Sequence, residues 1–177
     1  MKDRTVREDE IAVTHIMPEW CAADTGGVLI MLYLTSVRTA WIPHMVDIVR
    51  AAAARREDGR VAALTVQSFD NRYPLDIGFD SALGELREGV RELAPLIGAS
   101  AFVLELDGFL AVTMKAATAT LGRLAQSRYP RSIHPSVVSA AVWLAPHVST
   151  AQYRDVRHYV VGAVDQMKRE LGCKTLR

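Results

Sequence analysis

The chain has 177 residues, 50% of them apolar and 23% charged, with a formal net charge of +1. This make-up describes one globular domain able to bury a core and excludes a disordered chain. Only two cysteines, Cys21 and Cys173, occur, which excludes a disulfide scaffold. No apolar run reaches the roughly 20 residues of a membrane span. The start, MKDRTVREDE, has no secretory apolar region, and the charge balance gives no reason to expect nucleic acid. The expectation is a cytoplasmic protein without a membrane span.

Residues 1–10 are charged and aperiodic and read as a flexible terminus. Ile11–Met17 is a short β-like stretch that Pro18 ends. Val28–Val37 is a second one. Between them lies a loop closing on Asp24, Thr25, Gly26 and Gly27, so the two strands are expected as an antiparallel pair. Pro43 opens a helix with Met45, Ile48, Val49 and Ala52 at helical spacing, and Gly59 stops it. Val61–Phe69 reads as a buried strand and Asp70–Phe79 as a loop. Asp80 or Ser81 caps a helix striped by Leu83, Leu86, Val90, Leu93 and Leu96 or Ile97, which Gly98 ends. Ala101–Leu106 is a third buried strand, and Phe109 to about Gln126 is a helix broken at Tyr129–Pro130.

Arg131–His134 is placed as a short edge strand. Pro135–Ser136 opens a helix through Leu144, stopped by Pro146. A last helix runs from about Thr150 to Leu171, with Tyr153, Val156, Val160, Val164, Met167 and Leu171 on one stripe and Gly172 at its end. The predicted fold is an α/β domain in the order ββαβαβαβα plus an added C-terminal helix, built on a mixed sheet of four to five strands. The domain proper spans 11–147, and 148–177 is an extension packed on it.

This order resembles that of the STAS domain, the family of anti-sigma-factor antagonists and of the C-terminal domains of sulfate transporters, over roughly residues 11–147. Tyr129–Leu144, YPRSIHPSVVSAAVWL, is similar to the family's last strand and helix, with Trp143 as the helix tryptophan. Phe79–Gly84, FDSALG, is similar to the family's Asp-Ser pair opening a helix after the central strand. It differs by a longer loop and by Leu83 between Ala82 and Gly84. The resemblance implies a phosphorylation or switch site at Asp80–Ser81. A phosphate at a helix start meets free N–H groups and the positive dipole end. Read from the residues alone, capping preferences favour Asp80 or Ser81 as simply the helix N-cap.

No catalytic signature stands out. His15, His44, His134, His147 and His158 show no ligand spacing, and neither GxGxxG, a P-loop nor GxSxG occurs. His134 is expected at the sheet's carboxyl edge, and His44 at a helix surface. Glu105 and Asp107 end a strand, as catalytic carboxylates often do, but serve equally as an edge charge and a cap. Cys21 reads as a packed thiol in a loop. No cofactor or metal is expected.

Charge is unevenly spread. Residues 70–107 carry eight acidic and three basic side chains, and residues 128–177 eight basic and three acidic. Such a bipolar chain either neutralises itself within the fold or favours association. The sparsely charged helix around Met114, Lys115 and Thr118, with Arg154 and Arg157, is a candidate interaction surface. The leading function is a non-catalytic regulatory or binding module acting on protein partners, with partner switching and homo-oligomerisation as candidate modes. The alternatives are a small-molecule or lipid-binding protein, by likeness to CRAL-TRIO domains, and an enzyme whose site forms only in three dimensions.

Overall fold

Apolar runs without alternation fold as strands covered on both faces. The stretch VLIMLY forms β3 (Val28–Tyr33), buried at all six positions. In the computed structural model, which describes residues 12–25, 27–70, 72, 88–105, 129–148 and 155–172, β3 lies inside a six-stranded sheet. The other strands are β1 (Ala12–Ile16), β2 (Trp20–Thr25), β4 (Val61–Ser68), β5 (Ile97–Glu105) and β6 (Arg131–His134). Spatial order equals chain order, β1 to β6. The first two pairings are antiparallel and the last three parallel. The helices α1 (Ile42–Ala54), α2 (Val137–Leu144) and α3 (Val156–Glu170), with helical residues 88–93, complete a mixed α/β fold.

From β3 to β6 every parallel step goes the same way. A right-handed crossover repeated in one direction puts its connections on one face. Accordingly, Val49, Ala52 and Ala53 of α1, with Leu93, pack on Leu29, Val61, Ala63 and Ile97. The opposite face carries Ile30, Leu32, Leu64, Val66, Ala101 and Val103. It is covered by Ala140, Ala141 and Leu144 of α2 and by Val160, Val164 and Met167 of α3. Small side chains at Ala62, Ala99, Ala101, Ala140 and Ala163 let these layers close.

The expected loop between the first two strands is itself a strand. Trp20, Cys21, Ala22 and Ala23 are fully buried in β2, and residue 27 turns the chain straight back into β3 with φ +80°, a left-handed value that favours glycine. The antiparallel partner of β3 is therefore β2, not β1, and β1 pairs with the outer side of β2. The sheet has six strands instead of four to five for the same reason.

The third crossover strand also starts early. A 3-10 turn at Ala94–Leu96, around Pro95, ends the helical residues, and β5 begins at Ile97, paired to Val61. Gly98 thus lies within the strand and does not end a helix. The last described helix starts at Val156, where the Asp155 carboxylate accepts from the His158 N–H 3.1 Å away; Thr150 and Tyr153, expected in its first turns, lie outside the described residues. The stripe Val156, Val160, Val164, Met167 and Leu171 is buried, and Gly172 ends the helix at φ +66°. β6 occupies the sheet edge expected for Arg131–His134. The expectations of a flexible terminus at 1–10, a cap at Asp80–Ser81 and a helix from Phe109 to Gln126 fall on residues outside those described.

Val160 has no exposed surface. Val160→Asp puts an unpaired charge into the core, a change that costs several kcal/mol. Thermal melts are expected to show an unfolded or sharply destabilised domain. Gly89→Ala has the opposite sign to helix propensity, which favours Ala by about 1 kcal/mol. An added Cβ would sit 2.6 Å from Cγ2 of Ile42, a branched side chain with little freedom. The variant is expected to melt lower than wild type by about 1–3 kcal/mol in chemical denaturation. An unchanged or raised midpoint would contradict this packing.

Candidate functional site

In open α/β sheets, ligands favour the carboxyl ends of the strands where the strand order reverses. Here β3 to β6 advance without reversal. Their carboxyl ends are Tyr33, Ser68, Glu105 and His134. The polar groups at this edge are tied to one another. Gln67, almost fully buried, donates its amide to the Thr35 carbonyl, and the Asp70 N–H donates to the Leu34 carbonyl 3.0 Å away. The Asp70 carboxylate accepts from the Arg72 guanidinium at 2.7 Å, which holds its carboxyl below the usual range. That guanidinium also donates to the Leu171 carbonyl at 3.1 Å.

Glu105, a sequence candidate for acid–base work, accepts the Lys168 ammonium on both carboxylate oxygens, at 2.6 and 2.7 Å. Both side chains are largely covered, 29% and 18% exposed. The pair joins the acidic segment 70–107 to the basic segment 128–177 inside one chain. It fastens the last turn of α3 to the end of β5. Asp107 lies outside the described residues.

At the end of β6, the His134 ring lies 5.6 Å from Trp143 of α2, and Trp143 lies 4.8 Å from His147 one turn further on. His147 lies in the 3-10 turn Ala145–His147 that continues α2, which brings its ring onto that of Trp143. His134 Nε2 is buried with no hydrogen-bond partner, and desolvation lowers its pKa.

At the other side of the sheet, Trp20, Tyr33 and Trp41 stack with centroids 5.7–6.2 Å apart. His15 lies 4.4 Å from Trp20, and 6.0 Å from His44 in the first turn of α1. Burial pushes the Tyr33 hydroxyl far above the phenol range, and it donates to the Met31 sulfur at 3.4 Å. At the amino edge, Asp24 of β2 accepts from Arg55 at 2.8 Å and from Arg56. Beside them a cavity of about 20 Å³, lined in part by Arg56, Arg60 and His147, holds no more than a water or two.

Among the described residues, no group of three or more His, Cys, Asp or Glu side chains converges as a metal site, and no helix is long and apolar enough to cross a membrane. Of the residues singled out in sequence, Arg157 is exposed on the first turn of α3. Asp80, Ser81, Met114, Lys115, Thr118 and Arg154 lie outside the described residues. Cys21 is buried in β2, not in a loop.

The structure adds a surface that sequence reading missed. Val138 and Val142 stand one turn apart on α2 and are 39% and 57% exposed. Pro135, Ala145 and Pro146 beside them are also exposed. The signal was present: VVSAAVWL carries no charge, so it holds more apolar side chains than one buried face can take. Comparison with known proteins finds no match to a family model, a curated protein or a solved structure.

The Glu105–Lys168 pair generates a direct test. Lys168→Met leaves a largely covered carboxylate without its cation, and Glu105→Gln leaves the ammonium without its anion. Each single variant is expected to lower denaturant stability by about 1–3 kcal/mol. The double variant is expected to lose less than the sum, with a coupling of at least about 0.5 kcal/mol. Additive losses would mean that the pair holds nothing.

Proposed function

We propose that the protein is a non-catalytic binding module whose contact surface for protein partners is the outer face of α2. One observation carries this reading: Val138 and Val142 stand exposed, one turn apart, on a helix without a charged residue. Solvated helix faces are normally polar, and contiguous exposed apolar side chains mark interaction sites. The polar groups of the carboxyl edge support the same reading, because Glu105, Asp70 and Gln67 are engaged with neighbours in the chain. Filled packing by Leu144, Val160, Val164 and Met167 between sheet and helices weighs against a lipid or small-molecule pocket there.

The STAS resemblance belongs to this proposal, with the mixed sheet and the strand–helix unit Arg131–Leu144 in its favour. So do a cytoplasmic location, homo-oligomerisation and a switch at Asp80–Ser81. The contact on α2 replaces the helix around Met114, Lys115 and Thr118 as the first surface to test.

Sedimentation at micromolar concentration, in low and high salt, tests self-association through this face. The wild-type chain is expected to associate in both, since an apolar contact is not screened by salt. Val138→Asp/Val142→Asp is expected to be monomeric with a melting point close to wild type, because exposed substitutions usually cost within about 0.5 kcal/mol. A monomeric wild type sinks the homo-oligomer. Partners isolated from the source cell then decide the wider proposal: binding equal for wild type and double variant excludes α2 as the contact. In the same assay Ser81→Asp is expected to weaken partner binding and Ser81→Ala to preserve it. Equal binding of both removes the switch.

A further inference from the structure

The edge strand β1 is held by its pairing to β2 and by the His15 side chain near its end. The register of the pair shifts between Val13 and His15, a bulge next to this histidine. Bulges re-aim side chains at sheet edges. The His15 ring lies against Trp20, with centroids 4.4 Å apart and planes at 35°, and faces the His44 ring at 6.0 Å and 23°. Trp20 is fully buried and stacks on Tyr33.

Two polar atoms in this contact have no hydrogen-bond partner: His15 Nε2 and Trp20 Nε1, both buried. A buried unpaired polar atom is costly, so its position calls for a physical reason. Trp Nε1 can only donate. A neutral imidazole keeps one lone pair and can sit beside that donor, whereas an imidazolium presents N–H on both nitrogens. Protonating His15 in place therefore fixes an N–H on the buried Nε2, which has no acceptor, next to a donor and opposite a second imidazole.

We propose that His15 and His44 form a proton-sensitive latch that holds β1 on the sheet while His15 is neutral and releases it when His15 is protonated. Released, β1 uncovers the outer edge of β2, a ready template for an added strand. Desolvation, and after it the neighbouring His44, lower the pKa of His15 below its ordinary 6.5. A base whose pKa is depressed in the closed state is protonated more readily in the open one. The attachment of β1 is thus complete above the ordinary value and is lost as pH falls from there through the closed-state value.

Among the described residues, the charged groups on the surrounding elements do not counter this. Glu19, before β2, is paired with Arg38 at 2.6 Å. Arg38, before α1, lies over the Trp41 ring at 5.5 Å. Asp47, one turn beyond His44, is highly exposed and lies 3.8 Å from Arg50. From β3, Tyr33 remains neutral.

Hydrogen exchange on the full chain, taken from about pH 8 to about pH 5 and corrected for intrinsic exchange, tests the latch across the range where histidine titrates. The β1 amides are expected to lose protection in the wild type as pH falls, while those of α3 keep it. In His15→Phe, which keeps the ring and cannot bind a proton, β1 is expected to stay protected at the acid end. Should that variant fail to fold, His44→Gln removes the repulsion and is expected to shrink the acid loss. Wild-type β1 equally protected throughout overturns the latch. So does a loss in His15→Phe matching wild type, or an undiminished loss in His44→Gln.

Discussion

The strand order is the constraint on which the rest of the molecule hangs. Four parallel strands, β3 to β6, advance across the sheet in one direction. Right-handed crossovers put the described parts of their connections, α1 and the helical residues up to Leu93, on one face. The other face presents Ile30, Leu32, Leu64, Val66, Ala101 and Val103, all buried, and neither α1 nor Leu93 packs on it. At about 1.5–3 kcal/mol per fully buried aliphatic side chain, that face cannot be left in water. The chain covers it after β6, with α2 and α3. The C-terminal helix is therefore a layer of the core and cannot be treated as an ornament on a finished domain.

Its placement explains the polar contacts at the carboxyl edge. A helix laid across a sheet needs a fixed register, and apolar contacts alone slide easily. Lys168 reaches the Glu105 carboxylate at the end of β5, and Arg72 reaches the Leu171 carbonyl at the end of the helix. These contacts pin the last turn of α3 from two strand ends. The carboxylate that looked free for catalysis in sequence is thus occupied by the architecture. Covering the second face with α2 has its own cost. The helix is short and entirely uncharged, so one side is buried at Ala140, Ala141 and Leu144 while Val138 and Val142 remain outside.

Legibility in the sequence followed the strength of the local signals. The unbroken apolar runs of β3 and β4, the Pro-led start of α1 and the stripe of the last helix are strong local signals; β3, β4 and α1 lie where expected, as do the five described residues of the six-residue stripe. β2 was hidden because Pro18 and small residues resemble loop chemistry. Its strand state comes from burial between β1 and β3, a tertiary effect. The start of β5 was masked by Leu93, Leu96 and Ile97, which continue a helical stripe in sequence while Pro95 turns the chain. The site fared worse. His15 and His44 are far apart along the chain and meet only because β1 pairs with β2 beside the first turn of α1.

Both ends of the sheet carry the same type of problem, solved differently. At β6, the His134 nitrogen is buried without a partner, and its ring packs toward Trp143 of a helix that the core holds in place. At β1, the buried His15 nitrogen also rests on a tryptophan, but this one, Trp20, lies on β2, the strand with which β1 pairs, and not on a helix laid across the sheet. A proton on His134 must work against α2 and, behind it, the packing of Leu144 and α3. Among the described residues, a proton on His15 works against the contact with Trp20 and the pairing of a five-residue strand with a bulge in it. Local opening follows the region with the least buried apolar contact. The two histidines share a lowered pKa and the same physical cause, but the difference in what lies behind them places the conformational response at β1.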